Sequence, residues 1–187
     1  MSAARLDLDE TAQAARILVR KLSSAGLSLA CAESCTGGLA AAAITAVPGA
    51  SAAFWGGYVA YSNDCKTRIL GVSLDTLSRF GAVSRETARE MAQGALSASG
   101  ADLAFAITGI AGPEGGSEDK PVGLVWIAWK DALGRGSEES AVFGGDREAV
   151  RQAAALRAIR GVNELAAGLA AEEVVDIDKG EGPIYSS

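Results

Sequence analysis

The chain has 187 residues, of which 49% are hydrophobic and none is histidine, and this length and composition predict one domain with its own core. Without histidine the chain has no Ser-His-Asp or Cys-His catalysis, so an enzyme of this composition relies on Lys, Tyr, Ser, Thr, Cys, Asp or Glu. The net charge is −6, and residues 172–187 alone carry −4, so the remainder lacks the basic stripe that nucleic-acid binding requires.

The amino-terminal part of the sequence predicts a helix over residues 10–25, with Asp9 as its N-cap and Gly26 at its end. The first ten residues lack the basic start and apolar core of a secretory signal. The longest mostly apolar stretch, residues 39–47, has nine residues, whereas a membrane span needs about twenty. We therefore expect a cytoplasmic protein with no membrane partner.

Strands and helices alternate after residue 26, which predicts an α/β layered domain over residues 1–171, followed by an acidic, mobile tail at 172–187. Adjacent strands at 122–130 and 137–143 predict a hairpin and therefore a mixed sheet. The other predicted strands cover residues 27–32, 54–61 and 102–108. The other predicted helices are an alanine-rich helix that ends before Pro48, a short helix capped by Ser62 or Asn63 and ending at Leu70, and helices over residues 84–97 and 146–169.

The chain has three cysteines, Cys31, Cys35 and Cys65, and their odd number predicts free thiols in a reducing cytoplasm. No C-x-x-C pair occurs and no histidine is present to complete a zinc site, so we expect no zinc.

The motif AESCTGG (32–38) joins a predicted strand to a helix through a glycine-containing turn. Backbone N–H groups and the positive helix end would surround Ser34, which suits anion binding or stabilisation of an oxyanion. Alternatively, Ser34 or Thr36 only caps the helix, and the turn taken alone favours this interpretation. Cys35 in the first helical turn is a second candidate nucleophile, or else a small buried side chain.

The motif YSNDCK (61–66) offers the base that a serine nucleophile needs. With Asn63 as N-cap, Lys66 falls at position N3, where the helix end and partial burial favour the neutral amine, while Asp64 favours the charged form. Tyr61 would relay or orient the proton. The alternative is a surface lysine beside a core tyrosine, and spacing alone does not decide between them.

Two glycine-containing segments complete the candidate site. The loop 109–121 follows Thr108 and matches neither G-x-G-x-x-G nor the Walker pattern, but Gly109 allows close approach of a ligand. The motif GGDREAVR (144–151) places Arg147 in the first turn of a helix, where it could hold a phosphate. A mobile surface loop and a solvated helix start are the respective alternatives.

Five strings in this order resemble the CinA C-terminal domain family, whose stand-alone members include nicotinamide-nucleotide amidases. The resemblance runs from about residue 10 to about residue 168 and ends before the acidic tail. It is carried by AESCTGG, GGYVAYSNDCK, GAVS, ITGIAGPEGGSEDKPVG and GGDREAVR.

The resemblance implies a three-layer α/β/α sandwich and hydrolysis of the carboxamide of nicotinamide mononucleotide to nicotinate mononucleotide and ammonia. It also implies a homo-oligomer that needs no metal or cofactor. Ser34 matches the nucleophile, Lys66 and Tyr61 match its assistants, and the positions that would line the substrate site are Thr36, Gly37, Thr108, Gly109 and Arg147. Two other functions stay open: a non-catalytic nucleotide-binding module linked to competence or DNA damage, and a thiol enzyme that uses Cys35.

Overall fold

A mixed five-stranded sheet with helices on both faces organises this chain. The computed structural model describes the backbone of residues 3–177 and, within it, the side chains of residues 10–167. The strands are β1 (Leu29–Glu33), β2 (Phe54–Val59), β3 (Leu103–Gly109), β4 (Leu124–Asp131) and β5 (Gly136–Val142). The helices are α1 (Ala3–Ala25), α2 (Leu39–Thr45), α3 (Asn63–Leu70), α4 (Leu74–Phe80), α5 (Arg85–Ser99) and α6 (Arg147–Ile177), with a short 3₁₀ turn at Ala50–Ala52.

The strands lie in the order β2-β1-β3-β4-β5. β1 is parallel to both β2 and β3, while β3, β4 and β5 pair antiparallel, so the predicted hairpin and mixed sheet are confirmed. Helices α1, α2 and α6 pack together on one face, and α5 covers the other face with α3 and α4 against it. The fold is therefore the expected three-layer α/β/α sandwich in a single domain.

The two faces of the central strand β3 carry side chains of different size. Phe105 and Ile107 belong to the core cluster under α1 and α6, whereas Ala104 and Ala106 belong to the cluster under α5. Small side chains on the second face let α5, which is itself rich in buried alanines, lie close to the sheet. The larger apolar core thus lies on the α1/α6 side.

A close contact between two helices positions α3 relative to α5. A Cβ at Gly94 of α5 would overlap the backbone carbonyl of Leu70, the last residue of α3. Only glycine permits this approach, so α3, which carries Lys66, rests directly on the backbone of α5.

The two strands that follow β1 in the sequence are added to the sheet on opposite sides of it. From β1 the chain passes through α2 to β2 on one side, and then through α3, α4 and α5 to β3 on the other side of β1. In α/β sheets the crevice at the carboxyl ends of strands at such a switch point is the usual place for a ligand. A ligand site is therefore expected at the residues that follow β1, β2 and β3.

Three boundary predictions were wrong. Helix α1 begins at Ala3, so Asp9 lies inside the helix and is not its N-cap. Of the two predicted caps of α3, Ser62 is confirmed, since its hydroxyl accepts from the N–H of Cys65 at 3.1 Å. Lys66 is therefore the fourth helical residue and not N3, the position that an Asn63 cap would have given it. Helix α6 continues to Ile177, beyond the predicted end at residue 169.

Helix α4 was not predicted at all, although Ser73 caps it and Asp75 lies in its first turn. Residues 178–187 lie outside the described part of the chain, so the mobility of the acidic tail stays a prediction. Among the helices of residues 3–177, none has both the length and the apolar character needed to cross a bilayer.

Candidate active site

The predicted site residues converge at the carboxyl ends of the three neighbouring strands. Ser34 directly follows β1, Tyr61 lies two residues after the end of β2, and Thr108 and Gly109 end β3. The first turns of α3 and α6 add Lys66 and Arg147. The strands thus end at one edge of the sheet, where polar residues from distant parts of the sequence lie close together.

Ser34 and Lys66 are in direct contact and are both buried, with 7% and 1% of their surface exposed. The Nζ atom of Lys66 lies 2.9 Å from Oγ of Ser34, 2.9 Å from the carbonyl oxygen of Ala60 and 3.1 Å from that of Tyr61. The amine forms no ion pair with any acidic side chain of the described region. It is therefore held by one hydroxyl and two carbonyl groups, without a compensating negative charge.

Burial is the main cause of a lowered pKa of the Lys66 amine, relative to its ordinary value of 10.5. Electrostatic interaction with Cys35 and Cys65 acts in the opposite direction and is weaker. The predicted opposing influence of Asp64 is absent, because the Asp64 carboxylate turns away to pair with Arg68 at 2.8 Å on the exposed face of α3. The alternative of a surface lysine is wrong, and burial shifts the amine toward its neutral form.

The turn after β1 is held by a residue that sequence reasoning missed, Glu33. Its carboxylate is 1% exposed and accepts from the N–H groups of Gly38, Ala40 and Ala41 at 3.0, 3.2 and 2.8 Å. The N-cap of α2 is Gly38 in the left-handed conformation, with no side-chain cap. The alternative that Ser34 or Thr36 caps this helix is therefore wrong, and the Glu33 carboxylate already occupies the positive end of α2.

Cys35 is a poor candidate for the nucleophile. The residue is 6% exposed, and burial raises the pKa of its thiol to about 11, against weaker lowering influences from its own backbone N–H and the charges of Lys66 and Arg147. A thiol with this pKa is protonated at neutral pH, whereas a cysteine nucleophile reacts as the thiolate. The geometry thus favours a buried, unreactive side chain at this position.

Tyr61 contacts the two cationic residues through different groups. Its carbonyl accepts from Lys66, while its phenol Oη accepts from Nη2 of Arg147 at 3.2 Å, and the residue is 61% exposed. Nη1 of Arg147 donates to the carbonyl of Gly112 at 2.8 Å, which links the start of α6 to the glycine-rich loop. In these contacts the phenol orients Arg147, and Lys66 reaches Ser34 without it.

Replacing Tyr61 by Phe tests whether the phenol relays a proton. Because Tyr61→Phe keeps the carbonyl that binds Lys66, we expect kcat to stay within about threefold of wild type. The KM should rise moderately, since Arg147 loses an acceptor. Steady-state kinetics check this expectation. A hundredfold loss of kcat with unchanged KM would show instead that the phenol relays a proton.

Four other predicted residues shape the walls of the site. Thr36 is fully buried, and its Oγ1 has no hydrogen-bond partner within residues 10–167. Gly37 has a φ of 63°, and a Cβ at Gly109 would lie 2.8 Å from the carbonyl oxygen of Leu124, so both backbones need glycine. Thr108 donates to the carbonyl of Ala82 at 2.7 Å. Contact of these four residues with substrate stays a prediction.

Arg151 is a second residue that sequence reasoning missed. It lies one turn after Arg147 on α6, and its Nη2 donates to the carbonyl of Thr36 at 2.7 Å. The spacing of the two arginines, four residues apart in GGDREAVR, was the available signal. Beside them opens a groove of about 380 Å³ whose lining consists of Leu39, Asp146, Arg147, Glu148, Arg151 and Gln152.

Comparison with known proteins places the chain among relatives of one family. The sequence model of the family described as "CinA C-terminal domain" matches residues 11–166. The chain is 53% identical over 135 residues to "Nicotinamide-nucleotide amidohydrolase PncC" of Enterobacter agglomerans, an alignment that covers 72% of this chain and 82% of that protein. It is 50% identical over 139 residues to the protein of the same name from Escherichia coli K12, covering 74% and 84% of the two chains.

A solved structure supports the same relationship. The crystal structure of the competence/damage inducible protein CihA from Agrobacterium tumefaciens superposes with a TM-score of 0.82 at 44% sequence identity. The match covers 83% of this chain and 95% of that one.

Proposed function

The chain belongs to the CinA C-terminal domain family, and from this membership and the site geometry we propose that it hydrolyses the carboxamide of nicotinamide mononucleotide. The products are nicotinate mononucleotide and ammonia, with Ser34 as nucleophile and Lys66 as base. The amidohydrolase class is supported by relatives of that name, of whose length the chain covers more than four fifths. The observation that carries the chemistry is the buried Lys66 amine, 2.9 Å from Ser34 Oγ.

The three neighbours of the Lys66 amine match the needs of a general base. A neutral amine has two hydrogens and one lone pair, and the two carbonyls of Ala60 and Tyr61 accept the two hydrogens. The lone pair then faces Ser34 Oγ and accepts the hydroxyl proton. Burial favours this neutral form, because no acidic side chain within residues 10–167 pairs with the amine to repay the desolvation of an ammonium group.

The first half-reaction transfers the acyl group to Ser34. As Lys66 takes its proton, Oγ attacks the carboxamide carbon, and the carbonyl oxygen becomes an oxyanion stabilised by backbone N–H groups after Ser34. The positive pyridinium ring withdraws electrons from this carbon and eases the attack. The tetrahedral intermediate collapses when the C–N bond breaks, and Lys66 returns its proton to the leaving nitrogen, which departs as ammonia.

The second half-reaction restores the enzyme. Lys66, neutral again, takes a proton from a water molecule whose oxygen attacks the nicotinoyl ester of Ser34. The ester C–O bond breaks, the proton passes to Ser34 Oγ, and nicotinate mononucleotide leaves. One water is consumed and one ammonia is released in each cycle, with no metal or redox step.

Arg147 is proposed to bind the 5′-phosphate of the substrate. It lies at the first position of α6, its guanidinium spans Tyr61 and the glycine-rich loop, and a groove opens beside it. A planar guanidinium beside a helix start is suited to a phosphate dianion.

Arg147→Ala is expected to raise the KM for nicotinamide mononucleotide about tenfold or more and to change kcat by less than about threefold, because it removes only a charge-assisted hydrogen bond to the phosphate. Nicotinamide riboside, which lacks the phosphate, should be hydrolysed equally by both proteins. Arg68→Ala, at the exposed ion pair on α3, is the matched control. A large effect on the riboside would assign Arg147 to the chemical step instead.

The proposed function is tested by ammonia release from nicotinamide mononucleotide, with chromatographic measurement of nicotinate mononucleotide. We expect the two products in equal amounts, and much lower rates with free nicotinamide, which lacks both the pyridinium charge and the phosphate. Binding of the mononucleotide without ammonia would overturn the proposal and favour a nucleotide-binding module. Faster release from an unrelated linear amide would retain the chemistry and change the substrate.

A further inference from the structure

We infer that Glu33 and Arg151 are positioning residues for the reaction, which hold the backbone of the turn that follows Ser34. The inference rests on the proposed function, because it concerns the step in which Ser34 attacks. Within the side chains described, the carboxylate of Glu33 contacts only backbone N–H groups of α2 and the thiol of Cys31, and contacts neither Ser34 nor Lys66. It is therefore placed to fix the turn and not to exchange a proton with the dyad.

The burial of Glu33 makes its contacts costly to lose. A carboxylate with 1% exposure needs full hydrogen bonding, and three N–H groups at 2.8 to 3.2 Å supply it. The backbone of Glu33 is fixed as well, since its carbonyl accepts from the N–H of Ala60 at 2.9 Å. Ser34, the next residue, donates its N–H to the carbonyl of Ile107 at 2.9 Å. The start of the turn is thus anchored to β2, β3 and α2.

Arg151 fixes a peptide group within the turn. The peptide group between Thr36 and Gly37 has its carbonyl bonded to Nη2 of Arg151 at 2.7 Å and its N–H bonded to the carbonyl of Ser34 at 3.1 Å. With both polar groups engaged, this peptide plane is held against rotation. Arg151 reaches it from α6, a helix that packs against α2 and against strands β3 and β4 of the sheet.

The groups left available lie between these two anchors. Among residues 10–167, the N–H groups of Cys35 and Thr36 donate to no other residue, so they are the donors that can bind the oxyanion formed by attack of Ser34. Oxyanion stabilisation depends on donors that are fixed before the reaction begins. Glu33 and Arg151 therefore act on kcat through the orientation of these peptides and have no direct contact with substrate.

Glu33→Gln and Arg151→Gln test the inference. We expect kcat for nicotinamide mononucleotide to fall about 10- to 100-fold in each while KM stays within about threefold, because only the transition state uses the fixed donors. Arg151→Lys should recover part of the loss, since an ammonium can donate to the Thr36 carbonyl.

Two control residues, Asp102 and Arg160, carry the same kinds of charged group as Glu33 and Arg151 but do not contact the turn after Ser34. Asp102 accepts from the N–H and hydroxyl of Ser28 at the amino ends of the strands, and Arg160 of α6 pairs with Glu10 at 2.7 Å. Asp102→Asn and Arg160→Gln should leave kcat and KM unchanged, whatever their effect on melting temperature. Test variants that lose stability but keep kcat would assign Glu33 and Arg151 to the fold alone, and a raised KM with normal kcat would make Arg151 a substrate ligand. Either result overturns the inference.

A second readout separates this inference from the proposed substrate. An alkyl fluorophosphonate reacts with an activated serine when Oγ displaces fluoride from phosphorus, and intact-protein mass reports the rate of labelling. We expect Ser34 to be labelled about 10- to 100-fold more slowly in Glu33→Gln and Arg151→Gln than in wild type. A wild type that is labelled but releases no ammonia contradicts the proposed substrate only, and the labelling rates still decide the inference. A wild type with neither reaction overturns both.

Discussion

Ser34→Ala is expected to reduce ammonia release from nicotinamide mononucleotide by on the order of 10³-fold or more, because it removes the one hydroxyl that, among the side chains of residues 10–167, is hydrogen-bonded to the Lys66 amine. Ser34 is buried, and alanine removes only its hydroxyl, so the fold should persist. Binding of the mononucleotide should also persist, since the proposed phosphate ligand is Arg147 and not Ser34. Steady-state ammonia release, calorimetric binding and far-UV circular dichroism measure the three properties on the same preparation.

Cys35→Ala is the matched control for the serine variant. It changes the adjacent side chain by one sulfur atom and keeps the backbone N–H, so turnover should stay within about fivefold of wild type. The two variants separate the three candidate functions. A thiol enzyme would lose activity only with Cys35→Ala, and a nucleotide-binding module would release no ammonia from any of the proteins. Full turnover by Ser34→Ala would refute the proposed nucleophile.

The sequence predicted the strands that carry the site because their apolar runs are short and bounded by turn residues. Since β1, β2 and β3 are parallel to one another, their carboxyl ends must meet at one edge of the sheet. Ser34 follows the first of these ends and the YSNDCK segment follows the second. The contact of Lys66 with Ser34 is a consequence of this topology, although sequence spacing alone left a surface lysine equally open.

The contacts of Glu33 and Arg151 could not be predicted from the sequence, because their partners are backbone atoms. Glu33 ends a buried strand and finds its three donors in the first turn of α2, and Arg151 finds its acceptor in a carbonyl 115 residues earlier in the chain. No pairing of side-chain charges signals either contact. The role of the Tyr61 phenol depends likewise on the rotation of one ring toward Arg147, which residue type and spacing do not determine.

Lys66→Met is expected to lower turnover by on the order of 10³-fold or more, because the variant lacks the amine that is proposed to accept the Ser34 proton. Methionine fills a similar volume in the buried site, so the core should remain packed. Lys66→Arg distinguishes charge from basicity, since a guanidinium stays protonated in proteins and cannot accept the proton of Ser34. We expect both variants to be inactive and to bind nicotinamide mononucleotide. An active Lys66→Arg protein would exclude a general-base role for this residue.

The pH dependence of activity and stability follows from the lowered pKa of the same amine. In wild type, kcat/KM should rise with pH as the Lys66 ammonium of the folded enzyme loses its proton, with a midpoint below the ordinary lysine value of 10.5. Between the lowered folded pKa and 10.5 the unfolded chain binds more protons than the folded one, so the contribution of Lys66 to the free energy of unfolding increases with pH across that window. This contribution is lost as pH falls through the folded pKa. Denaturant unfolding should therefore show that wild type gains stability relative to Lys66→Met as pH rises. A constant difference between the two proteins would mean that the amine titrates normally. It would then be charged at neutral pH and unable to accept the Ser34 proton.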